Sequence, residues 1–595
     1  MGESRDDIFG RPVSKSAEVD LLSYHERNAG RLVLDPKEAQ KELGSDVASL
    51  LKLTADGTCI LWPQPTADPE DPQNWSDRRK SVQLLIITLA SIVPDFVGSI
   101  GVAAIFPLAK QYNTTPNHVN EVASNWAVFL LGWGGFAAVI LVRRWGRLPI
   151  LFWSQLLALV FLAGATFAPS LTIFAALRCA AAFFGTAPQI TGLYTIADMY
   201  PFHLQCRKLN TWTMGFIMSP FVSPFFLGFL VAHANYKWAF AVGCLYSLVV
   251  LLLIIFLGEE TLYDRTLQPI PPRPTVGLRY RVETLLGITG FKMAGFRPRW
   301  RDCIASPLRV LWRPHGLLIM IFGGMEFGLS IGITITNAIF LGTPPPTGFG
   351  FSQTAISASY ATPIVATVVG ELIGRFGNDL IASVGIRRNH GVFEAEMRLW
   401  MCYLSLPLYL AGFLLLGWGF QTLNLPAVLM GWGIGMTAIM LNTTAIYAYL
   451  KDCFPAHQGE VSALFNFFRT ICGFAVIYFQ APWLESKGGM QVFGCEAAIV
   501  GCLFILVVPL VQRKGAWMRA RFSMSYAPPP APRTVRLSQR RGRQSVALVP
   551  EAEVPGIKLT TFLSPSMEGL ELTPLPGGDV KTNFPSGSTG TVGVP

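Results

Sequence analysis

Apolar and polar positions alternate along this chain in blocks far longer than any turn of helix or strand. Twelve apolar runs fall at about 81–107, 123–142, 148–168, 171–196, 210–232, 238–257, 315–341, 352–374, 399–419, 425–448, 459–482 and 490–511. Most approach the ~20 residues that carry a helix across ~30 Å of hydrocarbon at 1.5 Å per residue. Only helices and closed barrels satisfy their backbone in lipid, and continuous apolar runs of this length predict helices. The expected fold is an all-α integral membrane protein of twelve transmembrane helices. A polar, basic break at 258–314 parts the runs into six and six. The expected organisation is therefore a polar tail at 1–79, a six-helix bundle at 80–257, a basic central loop at 258–314, a second bundle at 315–511 and a disordered tail at 512–595. The last is rich in Pro, Ser and Gly.

Composition supports this reading. The chain has 595 residues, 51% hydrophobic and only 14% charged, whereas soluble domains carry about 25% charged residues. The formal charge of +10 does not point to nucleic acid, because the basic residues lie between apolar runs and in the tails, with no interleaved aromatic face. The ten cysteines and seven histidines are scattered, with no CxxC pair and no metal spacing. No metal, no cofactor and no catalytic set is expected. The start, Met1-Gly2-Glu3-Ser4-Arg5-Asp6, is too polar for a signal peptide and misses the myristoylation pattern, so the first span is expected to act as its own membrane signal.

The loop charges predict orientation. With both termini cytosolic, the inner loops hold twenty Lys and Arg, and the outer loops hold only Lys110, Lys237 and Lys487. The halves also echo each other. Run two ends in Arg144-Trp145-Gly146-Arg147 and run eight in Arg375-Phe376-Gly377-Asn378, as a parallel duplication would produce.

A charge inside an apolar run is costly, and so each one marks a functional candidate. Asp95, Arg178, Glu326 and Arg469 lie in runs one, four, seven and eleven. Asp95, Glu326 and Arg469 fall roughly 15–21 Å inside the inner edge, and Arg178 roughly 10 Å below the outer edge. Asp95 and Glu326 stand at matching depths in the two halves, which places them on one central cavity by repeat symmetry. The alternative is that the four charges pair off and fix helix packing. Runs three, six, nine and twelve carry no core charge and are free to face lipid. Asn337, Tyr360, Asn442 and Asn466 add neutral polar groups to the expected lining, although such groups also hold helices together. In run five, Pro220 and Pro224 each remove a backbone donor, and with Gly228 they form a candidate hinge.

The chain resembles the fungal major facilitator superfamily, in its twelve-helix, drug:proton-antiporter-like branch, over about residues 68–520. The motifs are Asp71-Pro72-Gln73-Asn74-Trp75-Ser76, the loop Arg143-Arg144-Trp145-Gly146-Arg147, Arg178 followed by Gly185, and the pair Asp198 and Arg207. Glu259-Glu260-Thr261-Leu262-Tyr263-Asp264-Arg265 follows run six. Arg388-Asn389-His390-Gly391 and Glu396-Met397-Arg398-Leu399-Trp400 precede run nine, and Asn466, Arg469 and Pro482-Trp483 lie in run eleven. Three positions depart from the pattern: Arg143 stands where the general loop has Asp, Val139 where it has Gly, and Ser219 precedes Pro220 where the antiporter motif has Gly.

The resemblance implies a major facilitator fold, with two halves about a pseudo-twofold axis, working by alternating access. It implies gating residues Arg144, Gly146, Arg147, Asp198 and Arg207 in the first half and Glu371, Arg375 and Asp379 in the second. Arg178 is expected to tune the nearest carboxylate, and Asp95 and Glu326 to exchange protons. The expected function is proton-coupled export of an organic small molecule. Import of a small cation or nutrient, and a transporter-like sensor without flux, are the alternatives. Expected partners are the bilayer, a small-molecule substrate and protons, with the chain a monomer. The plasma membrane is the expected location and the vacuolar membrane the alternative.

Overall fold

The computed structural model describes residues 30–54, 56–66, 68–263, 277–345, 348–522, 548–550 and 559–561. Among these, twelve helices are long and apolar enough to cross a membrane. They are α1 (Asp77–Ala103), α2 (Pro116–Trp145), α3 (Arg147–Thr166), α4 (Leu171–Met199), α5 (Phe202–His233), α6 (Lys237–Leu257), α7 (Pro314–Gly342), α8 (Gln353–Arg388), α9 (Ala395–Gln421), α10 (Leu425–Cys453), α11 (Pro455–Lys487) and α12 (Gly489–Arg521). An even number of crossings returns α12 to the face where α1 begins, here called the terminal face.

The apolar runs locate the spans but understate several of them. Polar residues continue a helix once its backbone is started, so α8 runs on through Arg387 and Arg388, and α12 passes residue 511 to end at Arg521. The part of the expected disordered tail at 512–521 is therefore helical. Beyond it, only an antiparallel ladder of Leu548–Pro550 with Leu559–Thr561 is described, in a separate compact unit. The rest of that tail, like residues 1–29, lies outside the described residues.

Several spans are interrupted, α4 and α2 among them. In α4 the helix restarts at Ala187-Pro188 after Thr186, with the proline in the first turn of the new segment, where its missing donor costs least. α2 opens through a π-helical stretch at Asn120–Asn125.

α1, α7 and α10 are the most enclosed spans, whereas α6, α9 and α12 show the widest outward faces. On α6 that face is Trp238, Val242, Leu245, Val249, Leu252 and Phe256. α3 does not join this group as expected. A helix of the central stretch lies beside it, and the Trp153 indole donates to the Leu286 carbonyl at 3.4 Å.

Within the second half, α9 and α10 cross with backbones touching. A Cβ at Gly431 would stand 2.5 Å from the Leu416 nitrogen, and one at Gly412 would stand 2.6 Å from that of Gly435. Without a hydrophobic drive between helices in lipid, this close approach of small residues supplies the packing.

The stretch ahead of α1 is not a simple polar tail. Strand β1 (Arg31–Val33) pairs antiparallel with β2 (Val392–Glu394), between α8 and α9, with Leu32 opposite Phe393. Leu32, Val33, Leu34, Ala39, Leu51, Ile60 and Trp62 form a small core with Phe202 and Phe393. The Trp62 indole donates to the Val33 carbonyl at 2.9 Å, and the Phe202 amide donates to the Trp62 carbonyl at 2.8 Å. The segment thus grips the second half at β2 and the first half at the start of α5.

The turn into α1 explains a sequence motif. Asp71 accepts from the Thr66 and Gln73 amides, the Asn74 side chain donates to the Thr66 and Asp68 carbonyls, and the Ser76 hydroxyl caps α1. Trp75 lies under Arg79, with the guanidinium 4.1 Å from the ring centroid.

The α9–α10 crossing gives a stability test. Gly431→Leu should destabilise the folded chain by about 1–3 kcal/mol or more. It should be read as a lower melting midpoint in detergent and a loss of monodisperse protein by size exclusion. An unchanged midpoint would mean that the backbones are not in contact.

Candidate functional site

A cavity of about 110 Å³ lies between the halves. α1 contributes Pro94, Asp95, Gly98 and Ser99, and α5 contributes Phe216, Pro220 and Phe221. α7 contributes Phe327, Ser330 and Thr334, α10 contributes Met436 and Ile439, and α11 contributes Asn466, Arg469 and Thr470. Its wall is mostly apolar and aromatic, with one acid and one base.

Asp95 accepts from the Gln189 side chain at 2.7 Å, and Arg469 is the cation whose field reaches it. The Arg469 guanidinium stands over the Phe327 ring, 3.6 Å from its centroid, with Phe216 at 5.0 Å. A guanidinium over an aromatic face is held by the ring quadrupole and remains available to an anionic group. Asn466 sits one turn away, 3.5 Å from the Thr186 hydroxyl at the break in α4.

The other sequence candidates lie elsewhere. Glu326 does not line this cavity. Its carboxylate turns into the second half and accepts from Asn442 on α10 and, at 3.4 Å, from Ser405 on α9. Depth along a helix was matched to Asp95, but the angular position was not. Asn442 accordingly serves Glu326. Tyr360 donates to the Thr334 carbonyl at 2.5 Å behind the cavity wall, and Asn337 is buried off the cavity. Arg178 meets no carboxylate within ion-pair distance among the described residues. It donates to the carbonyls of Val97 at 3.3 Å, Gly98 at 2.5 Å and Ala123 at 3.3 Å, tying α4 to the ends of α1 and α2. That satisfies a charge whose unpaired burial in lipid costs at least ~2.5 kcal/mol. In α5, Pro220 borders the cavity, Pro224 lies one turn on, and Gly228 passes Ser357 of α8 at close range.

The terminal face is closed by polar contacts. Arg143 of α2 pairs with Glu460 of α11 at 2.5 Å. Glu460 is fully buried and also accepts from Tyr194 of α4 and Ser306 of the central stretch, both at 2.7 Å. Arg207 of α5 meets Asp379 of α8 at 2.6 Å, and Lys451 of α10 donates to Gln205 of α5 at 2.6 Å. Among the described residues, every ion pair between the halves lies on this face. On the opposite face the halves meet through Trp126 and Phe474, through Phe106 against Gly342, and through Gln353 donating to the Ala103 carbonyl at 3.1 Å.

Arg147, Arg144 and Glu371, expected as gating residues, bond within one half or to the central stretch. Arg147 pairs with Asp198 within the first half, and its side chain also donates to Thr261 at 3.1 Å. The Glu260 carboxylate accepts from the Arg147 and Leu148 amides at 3.0 and 3.2 Å and so caps α3. Gly146 has φ +112° and passes close to Glu260, which excludes a side chain there. Arg144 donates to the Ala294 and Pro298 carbonyls, and Glu371 meets Arg375 only at 4.0 Å along α8. Glu460 was missed because an acid at a helix end reads as ordinary loop charge. Its signal was Arg143, the basic residue that departs from the motif.

Two buried ion clusters finish this face of the second half. Arg398 and Lys451 flank Asp452 at 3.2 and 3.0 Å, and Arg519 of α12 pairs with Glu396.

Residues 85–477 match the family model described as Major Facilitator Superfamily. The chain is 24% identical over 500 residues to the MFS-type transporter mpsC of Macrophomina phaseolina, covering 82% of this chain and 94% of that one. It is 22% identical over 504 residues to the efflux pump radE of Floropilus chiversii, covering 80% and 87%. Among solved structures, it superposes on the human organic anion transporter MFSD10 with a TM-score of 0.52 at 15% identity, covering 72% of this chain and 99% of that one. It superposes on the proton:xylose symporter XylE with a TM-score of 0.51 at 13% identity, covering 74% and 96%. With twelve spans in two sets of six, a cavity between them and a family match over most of the membrane region, the chain belongs to the Major Facilitator Superfamily and is a membrane transporter of small molecules, not an enzyme.

Proposed function

We propose that this transporter exports an organic small molecule in exchange for protons, from a central site containing Asp95, Arg469 and Asn466. The observation that carries the reading is a single carboxylate, held by one neutral donor and sharing with one guanidinium a mostly apolar cavity between the halves. A proton on Asp95 removes its charge, whereas an ionised Asp95 draws on Arg469. The two states therefore differ in how the halves are held. Loading a proton from one side and releasing it to the other then drives the exchange. The aromatic and aliphatic wall suits a substrate with a large apolar body. The similarity to the efflux pump radE supports the outward direction. The basic loops support cytosolic termini, and the plasma membrane is the proposed location. Glu326, bonded within the second half, acts in this reading as a packing element.

The closed terminal face and the lighter contacts opposite it support a substrate path that opens away from the termini in this state. Glu460 holds the closed face. When the halves rock, its bonds to Arg143, Tyr194 and Ser306 break together.

Three measurements check the proposal. In proteoliposomes loaded with a lipophilic fluorescent dye, an imposed pH gradient should accelerate dye movement, and its direction separates export from import. Asp95→Asn should reduce the pH-driven component about 5- to 150-fold, the usual span of one coupling interaction, and leave dye exchange at equal pH intact. Retained pH-driven flux in this variant would place coupling elsewhere. Glu460→Gln removes one charge of a buried pair, and breaking such a pair costs about 3–5 kcal/mol. It should raise labelling of cysteines introduced in the cavity from the terminal face. Unchanged labelling would show that Glu460 is not a latch. A tag at residue 10 and another at residue 590 should both be protected from external protease in intact cells, and cleavage of either overturns the orientation.

A further inference from the structure

Two short helices of the central stretch, Leu278–Leu286 and Trp300–Leu311, each carry an apolar stripe that is largely exposed. On the first the stripe is Leu278, Val282 and Leu286; on the second it is Trp300, Ile304 and Leu308, followed by Trp312. Leu308 is 60% exposed and Trp312 83% exposed, and Phe291 between the helices is 69% exposed. The spacing of four places each set on one helical face. The opposite face of the second helix, Cys303, Ser306, Pro307 and Val310, is buried against the bundle. A continuous exposed apolar surface of this kind marks a membrane or protein contact.

Three observations bear on what this surface meets. Arg281 donates to the Ile255 carbonyl at 2.8 and 2.6 Å and to the Gly258 carbonyl at 3.3 Å, so the first helix hangs on the end of α6. Trp153 at the start of α3 bonds to Leu286, and Trp145 at the end of α2 stacks on Phe291 and meets Trp300 edge-on. The tryptophans thus form a group level with the span ends, where interfacial aromatics gather. Exposed Arg299 and Arg301 have no carboxylate within ion-pair distance among the described residues, and Arg309 reaches Asp302 only at 3.9 Å.

We propose that residues 278–312 lie in the lipid interface, with the two stripes among the acyl chains and Arg299, Arg301 and Arg309 on the phosphates of anionic lipids. The helix that lies there also carries Ser306, which donates to Glu460 and accepts from Arg143. Anionic lipid therefore braces the contact between the halves from outside the bundle. The basic, apolar-striped surface and its continuity with the lipid-facing spans select a bilayer over a soluble protein.

The test uses the full chain with phosphatidylglycerol in phosphatidylcholine vesicles. Binding, read as the rise in melting midpoint with phosphatidylglycerol content, should weaken on the order of 100-fold in the triple variant R299Q/R301Q/R309Q. Phosphatidylcholine alone should not discriminate the two chains. In a Cys495→Ser, Cys502→Ser background, Ile304→Cys should resist a membrane-impermeant maleimide in vesicles, whereas Arg301→Cys should react. An equal response of wild type and triple variant to phosphatidylglycerol overturns the lipid assignment. Equal labelling at 301 and 304 overturns the interfacial placement and points to a water-borne protein partner.

Discussion

Glu460 has no contact with water, and three donors converge on it from three parts of the chain. A carboxylate buried at the edge of the hydrocarbon is tolerable only while those partners stay. Arg143, Tyr194 and Ser306 are consequently held as a unit, and with them α2, α4, the central helix and α11. The exposed Arg207–Asp379 pair contributes much less, since solvent screens it. The closed terminal face rests on one desolvated acid more than on the number of contacts around it.

The cavity follows from the same constraint. Asp95 and Arg469 survive inside apolar helices because each has an internal partner, Gln189 for the acid and the Phe327 ring for the base. Neither partner carries the opposite charge. The site is therefore satisfied without being locked, unlike Glu460. One end of the seam between the halves is fixed by a full ion pair and the middle by weaker polar contacts, and that difference lets the middle respond to a proton or a substrate.

The spans were legible because lipid leaves the backbone one economical choice, and a run of twenty apolar residues cannot be hidden. Asp95 and Arg469 were legible for the related reason that a charge there has to be explained. Glu326 was legible as a buried acid but not as one facing away from the cavity, because depth follows from residue count and facing depends on helix rotation against neighbours. Arg178 was recognised, yet its partners are backbone carbonyls, which no side-chain pattern reveals. The packed segment at residues 30–76 was read as a tail because its few apolar residues are diluted among polar ones. They become a core only when β2 and Phe202, distant in sequence, complete it. The motifs Asp71–Ser76 and Glu259–Tyr263 were visible as patterns. Their physical meaning, helix caps and the Arg79–Glu259 pair at the ends of α1 and α6, needed coordinates.

The pairing of β1 with β2 carries a consequence for biosynthesis. Arg31–Val33 leave the ribosome early, whereas Val392–Glu394 follow only after eight spans have been made. Until then Leu32, Val33 and Trp62 have no core to enter, because a strand cannot pair with a partner not yet translated. The segment is thus synthesised before the twelve described spans and docks only after the eighth. Its docking is possible only in a chain whose second half has already been inserted with β2 on the same side of the bilayer. A truncated or mis-inserted product would keep this strand edge open, a ready substrate for quality control.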